Sequence, residues 1–167
     1  MIENIEHTII KYLQNLPCRD FITTLMRLVS IPFNLVPFFL IILVLYYYRK
    51  ISSCQVLIII MSQLTISFIK FLVKRERPFV QDSDIMMLDN MKFDEYSFPS
   101  GHVLNVFLLS GILKTNFGMG LGIIPYMVAI SRMYLGVHHL SDLVGGYALA
   151  KIMLYLSSES SHWLSKN

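Results

Sequence analysis

The segment Cys54–Val73 carries a single charged residue, Lys70. A helix of about 20 such residues rises about 30 Å, the thickness of a hydrocarbon layer. This segment is too apolar to be anything but a membrane span, and it forces its neighbours to be built for the same solvent. Its polar residues are not scattered. Gln63, Ser67 and Lys70 follow one another at four and three, and the stripe continues to Lys74 and Arg77. One face of the helix therefore looks onto a polar interior and leads toward a basic end. The rest of the chain agrees: it is 54% hydrophobic, 15% charged and has a mean hydropathy of +0.57, against about 25% charged residues in ordinary globular domains.

Four further apolar runs can be read. Ile31–Tyr48 ends in three tyrosines followed by Arg49 and Lys50, an aromatic belt and then base, with Pro32 and Pro37 in its first turns. Val103–Phe117 leads through Gly118, Gly120 and Gly122 into a run ending near Leu135, and Leu140–Leu156 is the last. Ser52 or Ser53 can cap the 54–73 helix, and Pro78 stops it. The expected fold is an all-α integral membrane protein, a bundle of about five transmembrane helices preceded by an N-terminal interfacial amphipathic helix. Residues 1–30 would form the interfacial helices, 31–157 the membrane domain and 158–167 a polar tail.

In the first of these parts Ile2, Ile5, Ile9, Leu13 and Leu16 share a face, with Glu3, Glu6, Lys11 and Gln14 off it. That pattern fits best a helix lying on the membrane surface, with a helix packed on the domain as the alternative. Phe21–Val29, carrying Arg27, reads as a second short interfacial helix. The acids at the N-terminus stand where a secretory signal would carry base, so no cleaved signal is expected. Cys18 and Cys54 show neither a disulfide framework nor zinc-site spacing. The acids of the 79–98 connection, among them Asp82, Asp84, Asp89, Asp94 and Glu95, lack the spacing of a calcium loop and read as a solvated surface. A net charge of +3 without a long basic tract argues against nucleic acid and for an anionic headgroup or phosphate.

Ionisable groups at the edge of a hydrocarbon layer either pair or do chemistry. Residues 131–142, Ser-Arg-Met-Tyr-Leu-Gly-Val-His-His-Leu-Ser-Asp, lie between two apolar runs. His138 and Asp142 are four apart, so the carboxylate can accept the Nδ1 proton and leave Nε2 free as a nucleophile. Arg132 can bring a planar donor fork to an anion beside that nitrogen. A structural ion-pair cluster would also explain these three residues taken alone. Pro99-Ser100-Gly101-His102 opens another run, and unpaired helix N-terminal amides with the Ser100 hydroxyl make a phosphate cradle, Gly101 permitting close approach. If each run crosses once, Lys70, Arg77, residues 99–102, Arg132, His138 and Asp142 all reach the same side.

Lys70 followed by six residues and Arg77-Pro78, then Pro99–His102, then Ser131-Arg132 followed by five residues, His138, three residues and Asp142 resemble the three signature stretches of the type 2 phosphatidic acid phosphatase superfamily. The resemblance implies His138 as the nucleophile that forms phosphohistidine, Asp142 as its support and His102 as the general acid. It implies Lys70, Arg77, Ser100, Gly101 and Arg132 as the phosphate-binding set, with these donors replacing a metal, so that no cofactor is expected. His139 lies outside the motif and reads as interfacial; His7 and His162 read as surface residues; Tyr134, Asn105 and Gln63 can line the pocket or pack the core.

Lys74–Pro78, Met86-Met87 and Asp94–His102 are similar to the branch that hydrolyses polyisoprenoid diphosphates, without the long polar N-terminal region of that branch. The substrate this implies is an isoprenoid diphosphate or monophosphate. Phosphatidate or a related lipid phosphate is the alternative, as is undecaprenyl diphosphate in a bacterium. The corresponding membrane is that of the endoplasmic reticulum in a eukaryote or the plasma membrane in a bacterium. Lys74, Arg75 and Lys92 against Arg49, Lys50 and Lys114 favour a cytosolic site. Gly145-Gly146-Tyr147-Ala148 predicts close helix packing, within the chain or between copies in a homo-oligomer.

Overall fold

The computed structural model describes the backbone of residues 2–89 and 95–164 and the side chains of 3–89 and 95–158. The expectations at positions 92, 94 and 162 lie outside the described side chains. The described residues form helices and connections with no strand: α1 (Ile2–Gln14), α2 (Arg19–Ser30), α3 (Leu35–Tyr47), α4 (Ser53–Val73), a short α5 (Pro78–Gln81), α6 (Gly101–Phe117), α7 (Ile124–Tyr134) and α8 (Leu140–Leu164).

Helix α6 is the axis of the bundle. It is apolar on nearly every face, and Val103, Leu104, Val106, Leu108, Leu109 and Ile112 are all buried, as expected of a helix surrounded by others. It packs against α8, α7 and α4. The small residues of α8 permit a close approach. A Cβ on Gly146 would fall 2.5 Å from the Ser100 carbonyl oxygen, and one on Gly145 would fall 2.6 Å from the Phe98 ring. The glycine pair thus joins helices within the chain, and it brings the start of α6 beside the start of α8.

Helix α4 opens with a reciprocal cap: the Gln55 amide donates to the Ser52 hydroxyl at 3.2 Å, and the Ser52 amide donates to Gln55 Oε1 at 3.0 Å. Its end falls at Val73, where the apolar run ends, but Pro78 is not what stops it. Lys74 follows in the left-handed region (φ 50°), and Pro78 instead opens α5, where its missing N–H is tolerated. The 31–48 run is also modified. Ile31–Phe33 form a 3₁₀ turn, and Arg19–Phe33 and Leu35–Tyr47 meet at a 50° bend. Only the stretch Ser53–Gln81 is by itself long and apolar enough to cross a membrane among the described residues; the bent pair passes as a unit. Helix α7, with 11 residues, rises about 16 Å. Helix α8 continues past Leu156 through the polar residues that follow, as far as Leu164.

The outer surface is apolar along α3, α4 and α8, where Val36, Leu43, Leu64, Phe68, Val144 and Ile152 are exposed. Apolar surface on this scale belongs against lipid. Helix α1 lies across one end of the bundle with an unexpected face inward. Glu6, Ile10 and Gln14 are buried while Ile5 points outward. Packing on the domain wins over a purely surface-lying helix because Gln14 has work to do there. It donates to the Met86 carbonyl at 2.7 Å and the Tyr134 carbonyl at 2.9 Å, and accepts from the Met86 amide at 3.0 Å.

Candidate active site

Gly136, with φ 76°, turns the chain out of α7, and the amides of Val137 and His138 fold back onto the Arg132 carbonyl at 3.2 and 3.3 Å. This turn sets His138 just before α8 and Asp142 in its first turn. His138 Nδ1 lies 3.3 Å from Asp142 Oδ2, and both residues are buried. The His139 backbone amide donates to the same oxygen at 2.9 Å. Burial pushes the His138 ring far down from its ordinary value, to about 3, with the hydrogen bond to Asp142 opposing. His138 is therefore a neutral imidazole whose Nδ1 is committed to a carboxylate.

The Pro99–His102 stretch meets this pair directly. The Ser100 amide donates to the Asp142 carbonyl at 3.0 Å, and the buried Ser100 hydroxyl has no hydrogen-bond partner among the described residues. Gly101 has ordinary φ, and a Cβ there would come no closer than 3.8 Å to Ile66. Neither backbone strain nor packing requires glycine at this position; a side chain would occupy cavity. His102 Nε2 lies 2.6 Å from Asn34 Oδ1, so the break between α2 and α3 supplies a side chain that orients the ring.

The cations come from α4, the segment after it and α7. Lys70 donates to the Tyr96 carbonyl at 3.1 Å, and Arg77 spans from the Val137 carbonyl at 2.8 Å to the Tyr96 carbonyl at 3.2 Å. Arg132 is fully buried, with Nη1 on Asp89 at 3.0 Å and on Ser30 at 3.2 Å. Lys70, Arg77, Gly101, His102 and His138 line one cavity of about 340 Å³ together with Asn34, Gln63, Ser67 and Asn105. Ser100, Arg132 and Asp142 are not among its lining residues. Ser100 and Asp142 adjoin it through the contacts just described. Such a set of donors around a neutral histidine suits an anion with three or four oxygens.

The sequence profile of the PAP2 superfamily matches residues 52–166. The chain belongs to the PAP2 superfamily. Among curated PAP2-type relatives, phosphatidylglycerophosphatase B of Bacillus subtilis (strain 168) is 32% identical over 75 residues, 36% of this chain and 37% of that protein. Lipid phosphate phosphatase delta of Arabidopsis thaliana is 32% identical over 88 residues, 44% of this chain and 20% of that protein. The chain thus spans well under half the length of these two relatives. The fold matches the crystal structure of a transmembrane PAP2-type phosphatidylglycerolphosphate phosphatase from Bacillus subtilis, with a TM-score of 0.77 at 22% identity over 96% of this chain and 86% of that one. It also matches Aquifex aeolicus LpxE, with a TM-score of 0.76 at 19% identity over 93% and 95%.

Around the PAP2 motif residues stand several groups that sequence reasoning misplaced. His139 is fully buried, not interfacial, with Nδ1 3.4 Å from Asp142 Oδ2 and Nε2 3.1 Å from Gln81 Oε1. His7 is no isolated surface residue. Its ring stacks on His139 at 5.4 Å, and its Nδ1 lies 3.3 Å from Asp82. Lys11 bridges Asp82 and Asp84, both at 2.9 Å, which raises the lysine and lowers Asp82 from their ordinary values. Asp89 is buried against Arg132, so the polar connection is not wholly a solvated surface. Tyr134 packs in the core with its hydroxyl 3.0 Å from that of Thr23, whereas Gln63 and Asn105 line the cavity, bonded to each other at 2.8 Å. The available signal was the register of α1: Glu6, Ile10 and Gln14 recur at four, and that face is the one turned toward the site.

Proposed function

We propose that this chain is a metal-independent membrane lipid phosphatase, with His138 as nucleophile, Asp142 as its support and His102 as general acid, acting in a bundle of about five spans. The observation that carries the reading is one cavity holding His138 and His102 together with Lys70 and Arg77, with Asp142 directly behind His138. His138 Nε2 attacks the terminal phosphorus while Nδ1–H stays on Asp142, and the P–O bond to the leaving group, the lipid monophosphate of a diphosphate or the lipid alcohol of a monophosphate, breaks as His102 protonates the leaving oxygen. His102, now neutral, takes a proton from water. The water oxygen attacks phosphorus, the P–N bond breaks, and phosphate leaves. Lys70, Arg77, Arg132, Ser100 and the amide of Gly101 hold the phosphoryl oxygens throughout.

The names of the relatives support a lipid phosphate. Within that class the reading favours a polyisoprenoid diphosphate or monophosphate, on the likeness of the sequence at 74–78, 86–87 and 94–102 to that branch. An apolar trough of about 480 Å³ between α3 and α4 shares Leu35 with the polar cavity, which suits a single prenyl tail in hydrocarbon with its headgroup at the cations. Phosphatidylglycerophosphate or phosphatidate is the second reading, favoured by the Bacillus relative.

The test is phosphate release by detergent-solubilised protein in excess chelator, comparing farnesyl diphosphate, phosphatidylglycerophosphate and phosphatidate, with His138→Ala alongside. Release that persists in chelator and vanishes in the variant is expected, and the ratio of kcat/KM values selects the lipid. Equal release by His138→Ala would end the phosphohistidine reading.

A further inference from the structure

Asp142 has two carboxylate oxygens, and only Oδ2 faces His138. Oδ1 accepts from Arg75 Nη1 at 2.8 Å. The Arg75 guanidinium is held in turn by the Ser141 hydroxyl at 2.5 Å and, through Nη2, by Glu6 Oε2 at 2.8 Å. The second oxygen of Glu6 accepts the Ser141 amide at 2.7 Å. That amide belongs to the first turn of α8, so a carboxylate on α1 supplies the cap that the α8 sequence does not provide for itself. Glu6 is 3% exposed. Burial alone would push its carboxyl up, but the hydrogen bonds from Ser141 and the charge of Arg75 outweigh that and hold it below its ordinary value. Two groups from remote parts of the chain thus grip the turn that carries Asp142, and neither lines the cavity.

We propose that Arg75 and Glu6 are positioning residues for phosphoryl transfer: Arg75 fixes the Asp142 carboxylate with Oδ2 toward His138, and Glu6 fixes Arg75 and balances its charge. Helix α1 is then a working part of the active site. The inference rests on the roles proposed above for His138 and Asp142.

A physical consequence separates this from simple scaffolding. The charged and titratable groups around His138 are Asp142 and His139 beside it, Lys70 and Arg77 from α4 and the segment after it, His102 from α6 and Arg132 from α7. Against that fixed background, Arg75 competes with a protonated His138 for the charge of Asp142, and Glu6 weakens the competition. Removing the arginine charge should make His138 easier to protonate, and removing the glutamate charge should make it harder.

The experiment uses the full chain in detergent, with Arg75→Gln, Arg75→Lys and Glu6→Gln, the last keeping an oxygen for the Ser141 amide. Arg75→Gln is expected to lower kcat at least about tenfold, the weight of one charge-assisted hydrogen bond, while KM stays within about twofold. The acid limb of its pH profile should move to higher pH, Arg75→Lys should recover part of kcat, and Glu6→Gln should move the limb to lower pH. Nitrogen-15 NMR of the labelled His138 ring reads the same opposite shifts without turnover. A wild type that releases no phosphate would end the phosphatase reading and leave the ring titration to decide the positioning. Unchanged kcat and unchanged limbs in folded variants, or ring shifts of the same sign in both, would overturn the proposal.

Discussion

Arg132 and Asp89 form a buried ion pair, Nη1 to Oδ2 at 3.0 Å, with neither side chain meaningfully exposed. The arginine sits beneath the turn that carries His138, and the aspartate comes from the connection between α5 and α6. A guanidinium in such a place must be matched, because the desolvation of an unmatched charge outweighs what packing returns. Asp89→Asn is therefore expected to lower stability by about 3 kcal/mol and to reduce turnover along with it. Thermal unfolding in detergent, compared with phosphate release at a temperature well below the transition, separates the two effects.

Arg132→Lys tests geometry rather than charge. A point charge keeps the sign but loses the planar fork that can serve Asp89 and a phosphoryl oxygen together. We expect kcat to fall about 100-fold with the thermal midpoint reduced much less than in Asp89→Asn. Near-wild-type turnover in the variant would show that a bidentate contact at this position is not used.

The glycines on either side of the site should respond in opposite ways. Gly101→Ala meets only Ile66 Cδ1, at 3.8 Å, so the variant should fold with an unchanged midpoint while the new methyl stands in the cavity and raises KM. Gly146→Ala puts a methyl 2.5 Å from the Ser100 carbonyl, where backbone cannot give way, and should cost about 1–3 kcal/mol. Parallel unfolding and kinetic measurements on the two variants check the contrast. A destabilised Gly101→Ala would mean that the space beside it belongs to packing and not to substrate.

Asn34, at the break between α2 and α3, orients the His102 ring. With Nε2 of the ring 2.6 Å from Asn34 Oδ1, loss of the amide leaves the ring free to rotate in a polar cavity. Asn34→Ala is expected to lower kcat about tenfold, the loss of one hydrogen bond that positions the proposed acid, with KM little changed. The effect should be largest for substrates whose leaving group most needs a proton.

Much of this site was legible because its chemistry is tied to helix ends. An apolar run with one polar stripe announces which face of α4 looks inward, and Gln63, Ser67 and Lys70 all line the cavity. The separation of His138 from Asp142 by four residues reads directly as contact. The partners that came from elsewhere were not legible. Asn34 and Asp89 carry no local pattern that sets them apart from surface polar residues, and Glu6 has only its register with Ile10 and Gln14; the break between α2 and α3, the pairing of Asp89 with Arg132 and the packing of α1 bring them inside. Helix α1 was misread for a related reason: amphipathicity says that a helix has two faces, whereas the protein turned Glu6 and Gln14 inward onto backbone amides, backbone carbonyls and Arg75.

His138 also makes a prediction about stability. Its ring is buried and held far below the ordinary histidine value, at about 3, whereas in the unfolded chain it titrates near about 6.5. Between those two values the unfolded state binds a proton that the folded state refuses, so stability must rise with pH across that window and fall as the solution is made acidic. The slope from this one group approaches about 1.4 kcal/mol per pH unit. His138→Ala removes the group from both states. The variant should therefore lose less of its thermal midpoint than wild type between pH 7 and pH 4.5, while turnover is expected to be lost. The same depressed value keeps the proposed nucleophile neutral in the wild type, so the acid limb of kcat/KM due to His138 should lie below about pH 5. Unfolding curves at the two pH values decide the first point, and a pH profile on the preferred lipid decides the second. A wild-type limb near 6.5 would mean that His138 opens to water during turnover.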